Sequence, residues 1–309
     1  MAERAIRVSV IQAGSVAFDT AATLDRFERF AVEAAQTSRL AVFPEAFIGG
    51  YPKGLDFGAR VGTRSEAGRD WFARYYDGAV RLDGPQVERM CKVAKRLALA
   101  MVVGIIEQAK GTLYCTVLFI AEDGRLVNLH RKLMPTAMER LIWGMGDGAT
   151  TQVVEMAGAR VGAAICWENY MPLYRTWLYA QGVELYCAPT VDDRPQWQTS
   201  MRHIAYEGRC FVLSACQYAT DADYPRDYPL RGGAEALIKG GSLIVSPFGE
   251  VLAGPLGAQE GVLTAELELR QIVRGKFDLD VTGHYARPDV FDLTVNTAPS
   301  LCDDTSTQS

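Results

Sequence analysis

Histidine is scarce in this 309-residue chain: only His130, His203 and His284 occur, and no two of the seven cysteines stand as Cys-x-x-Cys. Zinc sites draw on clustered Cys and His, so the spacing argues against one. No run approaches 18 apolar residues, so no transmembrane helix is expected. Lys/Arg runs and basic amphipathic helices are also missing, and the formal net charge is −5 with both signs interspersed. That pattern points to neither nucleic acid nor a membrane surface. Met1 to Ala5 runs straight into the apolar stretch Ile6 to Ile11, too short and too mixed for a signal peptide. With no such signal, the odd cysteine count implies reduced thiols and a cytoplasmic protein. Linkers, internal repeats and low-complexity tracts are absent.

What is present is the balance of a soluble globular protein, 49% hydrophobic and 22% charged. Short apolar, β-branched runs alternate with helical stripes. Ile6–Ile11, Leu40–Phe43, Met101–Ile106, Leu113–Ile120, Val161–Ile165, Val183–Cys187, Phe211–Ala215, Ser242–Val245 and Val262–Leu267 read as strands. Leu24, Phe27, Ala31 and Ala34 form one helical stripe, Val87, Met90, Ala94 and Leu97 a second, and Trp197, Met201, Ile204 and Ala205 a third. A helix from Pro172 to about Gln181 ends at Gly182. Helix and hairpin connections together suggest an α/β sandwich. Ala46 to Arg69 and Asp221 to Gly233 read as long irregular stretches, of the kind that border a site. Residues 300–309 read as a disordered tail.

Three reactive residues stand just beyond apolar runs. Glu45 follows Leu40-Ala41-Val42-Phe43-Pro44, Lys132 follows Leu126 to Arg131, and Cys166 follows Val161 to Ile165. Ligands collect at the carboxyl ends of strands in open α/β sheets, so the three could converge. A thiolate is the strong nucleophile at neutral pH, an ammonium favours its formation, and a carboxylate can take its proton. The same ammonium can stabilise negative charge on the substrate.

Phe43-Pro44-Glu45-Ala46-Phe47, His130-Arg131-Lys132-Leu133-Met134-Pro135-Thr136 and Cys166-Trp167-Glu168-Asn169-Tyr170-Met171-Pro172-Leu173 resemble the three signature segments of the nitrilase superfamily. The likeness runs from about Ile6 to Asn296. It is closest to the nitrilase branch, on Met138 to Gly144, Gly146-Asp147-Gly148, Met171 to Arg175, Tyr186 to Thr190 and Gly283 to Asp289. The resemblance implies a four-layer αββα sandwich as a single hydrolase domain over residues 1–299, pairing as αββα-αββα in a homodimer or a higher spiral. It implies Glu45 as general base, Lys132 as electrophilic helper, Cys166 as nucleophile and Glu139 as a second glutamate near the site. The Trp167 backbone N–H and the Lys132 side chain would stabilise an oxyanion. The implied activity is hydrolysis of a small-molecule nitrile to a carboxylic acid and ammonia, with no metal or organic cofactor.

Plainer readings stand beside these. The other six cysteines read as packing. Glu139 reads also as the start of a helix. Tyr51 and Trp143 read equally as pocket-lining or core aromatics. Glu168 reads as a structural ion-pair partner, and His130 and His203 as hydrogen-bonding residues rather than bases. An amidase or carbamoylase, and a cyanide hydratase or dihydratase, would use the same three residues. A non-enzymatic assembly protein is the alternative from another class.

Overall fold

A computed structural model of the chain describes residues 4–230 and 236–299. The expected tail, 300–309, lies outside the described residues, as does part of the stretch 221–233. The first half runs β1 (Ala5–Gln12), α1 (Thr20–Ala35), β2 (Leu40–Val42), α2 (Glu66–Asp77), α3 (Pro85–Leu97), β3 (Ala100–Ala109), β4 (Thr112–Ile120) and β5 (Leu126–Arg131). The second half runs β6 (Val154–Met156), β7 (Ala159–Ala163), α4 (Pro172–Ala180), β8 (Leu185–Cys187), α5 (Pro195–Gly208) and β9 (Phe211–Ser214). It continues through β10 (Tyr218–Ala219), β11 (Ile238–Lys239), β12 (Leu243–Val245), β13 (Val251–Ala253), β14 (Gly261–Glu268) and α6 (Arg270–Gly275).

Two six-stranded sheets result, ordered β14-β1-β2-β3-β4-β5 and β13-β12-β9-β8-β7-β6. Each holds three parallel central strands flanked by antiparallel ones: β1, β2 and β3 in the first sheet, β7, β8 and β9 in the second. The parallel crossovers are carried by α1 and α3 on one side and by α4 and α5 on the other, because parallel neighbours need a helical return.

The layering follows from alternation along each strand. Leu40 and Val42 of β2 face a core shared with Val161, Leu185, Leu213 and Ile244 of the other sheet. Ala41 and Phe43 point the opposite way, onto Phe27 and Phe30 of α1 and Met90 of α3. On the second sheet Cys187 faces inward, while Tyr186 and Ala188 pack with Leu178 of α4 and Met201 of α5. The order is therefore helix, sheet, sheet, helix, as expected. Each fully buried Phe or Leu contributes roughly 1.5–3 kcal/mol to holding these layers.

The helix boundaries have local causes. Asp19 caps α1 by accepting from Ala22 N at 2.9 Å, and Pro85, Pro172 and Pro195 open α3, α4 and α5. The α4 stop is as read: Gly182 takes the left-handed conformation (φ 74°) just past the helix. One expectation needs correction. The irregular stretch 46–69 ends early, because Ser65 caps α2 from Glu66 by accepting from Gly68 N at 3.0 Å. The buried face of α2 is aromatic, centred on Tyr75, so its periodicity lacks an aliphatic stripe.

Candidate active site

Glu45 leaves β2 through Phe43-Pro44. Its backbone is held by Gln217 Nε2, which donates to Glu45 O at 2.7 Å. Ala46 then turns with φ 50°, a conformation that costs energy for a residue with a Cβ and is found where structure over-determines it. Gly104 of β3 makes this path possible: a Cβ there would lie 2.1 Å from Pro44 O.

Lys132 follows β5, tied by Lys132 N donating to Cys115 O and Gly146 N donating to Lys132 O, both at 2.8 Å. A Cβ on Gly146 would lie 2.2 Å from Arg131 O, so this glycine too allows a close backbone approach. The ammonium is fully buried and donates to Glu45 Oε1 at 2.6 Å and Glu139 Oε2 at 2.9 Å. It also stands 5.6 Å from the centre of the Trp143 ring, within range of a cation–π attraction.

Glu139 lies in a single 3-10 turn, Ala137–Leu141. Its Oε2 accepts from Thr136 N at 2.6 Å, and its Oε1 accepts from Tyr51 OH at 2.8 Å. Glu139 thus caps a 3-10 turn and pairs with Lys132. Tyr51 and Trp143 meet edge to face at 5.8 Å, so these aromatics back the Lys132–Glu139 pair.

Cys166 follows β7 at the head of a 3-10 turn, Cys166–Tyr170, and also has φ 50°. Its N donates to Pro189 O at 2.9 Å, and its Sγ accepts from Thr190 Oγ1 at 3.2 Å. The Trp167 N–H enters no backbone hydrogen bond among the described residues. The Trp167 indole points to the rim, 41% exposed, and donates to Asp192 Oδ2 at 2.9 Å. Arg194 grips that carboxylate and stands over the Trp167 ring.

Glu168 ties the two halves together. Its buried carboxylate accepts from Leu133 N and Ile165 N, each at 2.6 Å, and faces His130 Nε2 at 3.0 Å. Leu133 is next to Lys132 and Ile165 is next to Cys166, so one carboxylate fixes the spacing of both. Glu168 and His130 are therefore partners in structure, while His203 stays exposed near Glu207.

The electrostatics follow from one cation among several acids in a buried site. Burial pushes the Glu45 carboxyl above its usual range, the Lys132 ammonium opposes this and Glu139 adds to it. Burial alone would lower the Lys132 proton affinity, but Glu45 foremost, then Cys166, Cys115 and Glu139, hold it well above the usual value. Burial and Glu45 raise the Cys166 thiol, against Lys132 and the Thr190 hydroxyl. These shifts favour the protonated thiol and the ammonium, beside a carboxylate of raised proton affinity. Glu45 Oε2 is buried and unpartnered among the described residues, free to receive a proton. Among the described residues no group of three or more His, Cys, Asp or Glu could hold a metal ion.

Residues 7–276 match the family model of the carbon-nitrogen hydrolases. The chain belongs to that family. Among its relatives is an arylacetonitrilase of Trametes versicolor, 50% identical over 96% of this chain and 98% of the relative. Nitrilase 2 of Arabidopsis thaliana is 50% identical over 95% of this chain and 89% of its own length. These place the carbon-nitrogen hydrolase described here in the nitrilase branch. Solved structures agree on the fold: the NitFhit protein of C. elegans superposes with a TM-score of 0.76 at 19% identity, covering 97% of this chain and 69% of that one. An amidase from Nesterenkonia sp. gives 0.66 at 18% identity, covering 88% and 95%.

The residues picked from sequence thus divide by position. Glu45, Lys132, Glu139 and Cys166 converge, Tyr51 and Trp143 support them, and the Trp167 side chain sits at the rim. Thr190, Asp192, Cys115 and Gln217 were not singled out. Thr190 lies just past β8 as Cys166 lies just past β7, a placement that by itself marks no role. Cys115 had none: its Sγ reaches Glu45 Oε1 at 3.6 Å from the middle of β4.

Proposed function

We propose that the chain is a nitrilase that converts an organic nitrile and two waters to a carboxylic acid and ammonia. The observation that carries this reading is the buried Glu45–Lys132–Glu139 ion cluster beside Cys166, in a chain half identical to nitrilases over almost its whole length. Glu45 takes the thiol proton as Cys166 Sγ attacks the nitrile carbon. Negative charge developing on nitrogen is stabilised by the Lys132 ammonium, and Glu45 hands the thiol proton to that nitrogen, which gives a thioimidate and restores the Glu45 carboxylate. Glu45 then deprotonates a water that adds to the thioimidate carbon. The protonated nitrogen leaves as ammonia, and a second water hydrolyses the thioester and restores the thiol. Glu139 and Tyr51 hold the ammonium in place, and the Trp167 N–H serves the oxyanion of the tetrahedral intermediates.

Some relatives are bifunctional nitrilase/nitrile hydratases, such as one of Lupinus angustifolius. Amide release is therefore the second reading, reached when sulfur rather than nitrogen leaves the tetrahedral intermediate. Chromatography of products from a nitrile and its matching amide, run in parallel, separates the readings. Acid as the main product from the nitrile, with slow turnover of the amide, supports a nitrilase. Faster turnover of the amide makes the protein an amidase.

We further read residues 1–299 as one catalytic domain, working as a homodimer in the cytoplasm. The return of β14 to pair with β1 supports a single unit. The six cysteines among the described residues are all unpaired, which fits a reducing compartment. Exposed Phe277, Val290 and Phe291 offer apolar surface for a second copy. No helix among the described residues is long and apolar enough to cross a membrane.

A further inference from the structure

The sulfur of Cys166 receives one hydrogen bond among the described residues, and it comes from Thr190 Oγ1 at 3.2 Å. Thr190 is fully buried just beyond β8. Its main chain is pinned on both sides: Thr190 N donates to Ala215 O at 2.8 Å, and Thr190 O accepts from Gln217 N at 3.2 Å. The preceding carbonyl, Pro189 O, accepts from Cys166 N at 2.9 Å. Nucleophile and hydroxyl are therefore fastened to the same edge of backbone.

A threonine hydroxyl has one proton and two lone pairs. Asp192 N donates into one lone pair of Thr190 Oγ1 at 2.9 Å. No carbonyl or carboxylate competes for the proton among the described residues, so the proton is left for the sulfur. The γ-methyl group restricts χ1, so the hydroxyl has few alternative directions. Asp192 is itself held, by Arg194 Nε at 2.7 Å and by the Trp167 indole at 2.9 Å. The chain of contacts runs from Arg194 through Asp192 to Thr190 and ends on Sγ.

The sulfur needs this help. Glu45 and Glu139 face it as acids, and Lys132 spends two of its three N–H donors on those carboxylates. When the thiol proton moves to Glu45, the new thiolate is an acceptor only, and the hydroxyl already points at it. We infer that Thr190 is a positioning residue of the reaction: its hydroxyl, fixed as a donor by Asp192 N–H, orients Cys166 Sγ and favours the thiolate. No covalent bond to Thr190 changes, since its own proton stays on oxygen throughout. This inference rests on Cys166 being the nucleophile.

The test compares Thr190→Val, which keeps the shape and removes the donor, with Thr190→Ser, which keeps the donor. Iodoacetamide alkylation of the assembled enzyme is followed against pH, with the labelled peptide identified by mass spectrometry. A hydrogen bond to a charged group accounts for roughly a ten- to hundred-fold effect. The Val variant is expected to need a pH about one unit higher for the same Cys166 alkylation rate. Its kcat for a nitrile should fall at least tenfold, with little change in KM. The Ser variant should stay within a few-fold of the parent on both measures. Should the Val variant not fold, Thr190→Ala carries the same prediction. An alkylation profile that superimposes on the parent's, or a Ser variant as impaired as the Val variant, overturns the inference. The reading beneath it fails differently, by label on another cysteine or by turnover in Cys166→Ala.

Discussion

Gly104→Ala changes one hydrogen to a methyl group, yet the added carbon would meet backbone on the segment that carries Glu45. It would lie 2.1 Å from Pro44 O and 2.8 Å from both Ala46 N and Glu45 Cα, where ordinary contact begins at 3.4 Å. None of these atoms can rotate away, because Phe43 N donates to Val102 O, Ile48 N donates to Gly104 O, and Glu45 O is held by Gln217. The Glu45 main chain must therefore retreat from β3 by about 1 Å. Overpacking of this kind costs roughly 1–3 kcal/mol of stability, which lowers Tm by several degrees in a chain of this size. The larger effect falls on rate, since a misplacement of about 1 Å in a reacting group costs on the order of a hundredfold. Ammonia release from a nitrile gives kcat, and thermal melting reports stability. Gly111→Ala is the control, because nothing lies within 4 Å of a Cβ there. A folded Gly104→Ala enzyme with kcat within threefold of the parent would refute the claim that Glu45 must be held by this backbone contact.

Acid inactivation should set in above the usual carboxylate range. As the proposed base, Glu45 works only when deprotonated, and burial raises its proton affinity, so kcat/KM should be half lost above pH 4.5 as pH falls. A pH–rate profile with its acid limb below that value would contradict the assignment. Tyr51→Phe removes the donor to Glu139 Oε1 and loosens the Lys132 partner, so kcat should drop about tenfold with Tm nearly unchanged, as kinetics and melting would record. Glu168→Ala strands the N–H groups of Leu133 and Ile165, so chemical denaturation should show a loss of about 3–5 kcal/mol.

Elements whose side chains announce their burial were legible in the sequence. Strand β2 reads as an apolar run because both of its faces are covered, Leu40 and Val42 by the other sheet and Ala41 by helices. The edge strands β6, β10, β11 and β13 are two or three residues long, and no periodicity develops over that length. Strand order was also hidden: β1 pairs with β14 from the far end of the chain, Ala5 opposite Glu268, through tertiary burial that leaves no local mark. At the site, Glu45, Lys132 and Cys166 stood out as charged or reactive residues just after apolar runs, and the likeness of their three segments to nitrilase signatures supplied their expected roles. Thr190 was not, because a threonine at a strand end is ordinary until its distance to Sγ is known. The partnership of Glu168 with His130 likewise needs two distant segments to be brought together.

The central claim is that Cys166 carries the substrate covalently. Rapid quenching of the enzyme during turnover of a slow nitrile, followed by peptide mass spectrometry, tests it most directly. The account predicts a thioimidate or thioester adduct on the peptide containing Cys166, absent in a folded Cys166→Ala variant that has lost turnover by several orders of magnitude. An adduct on any other cysteine, or turnover by Cys166→Ala near the parent rate, would contradict it.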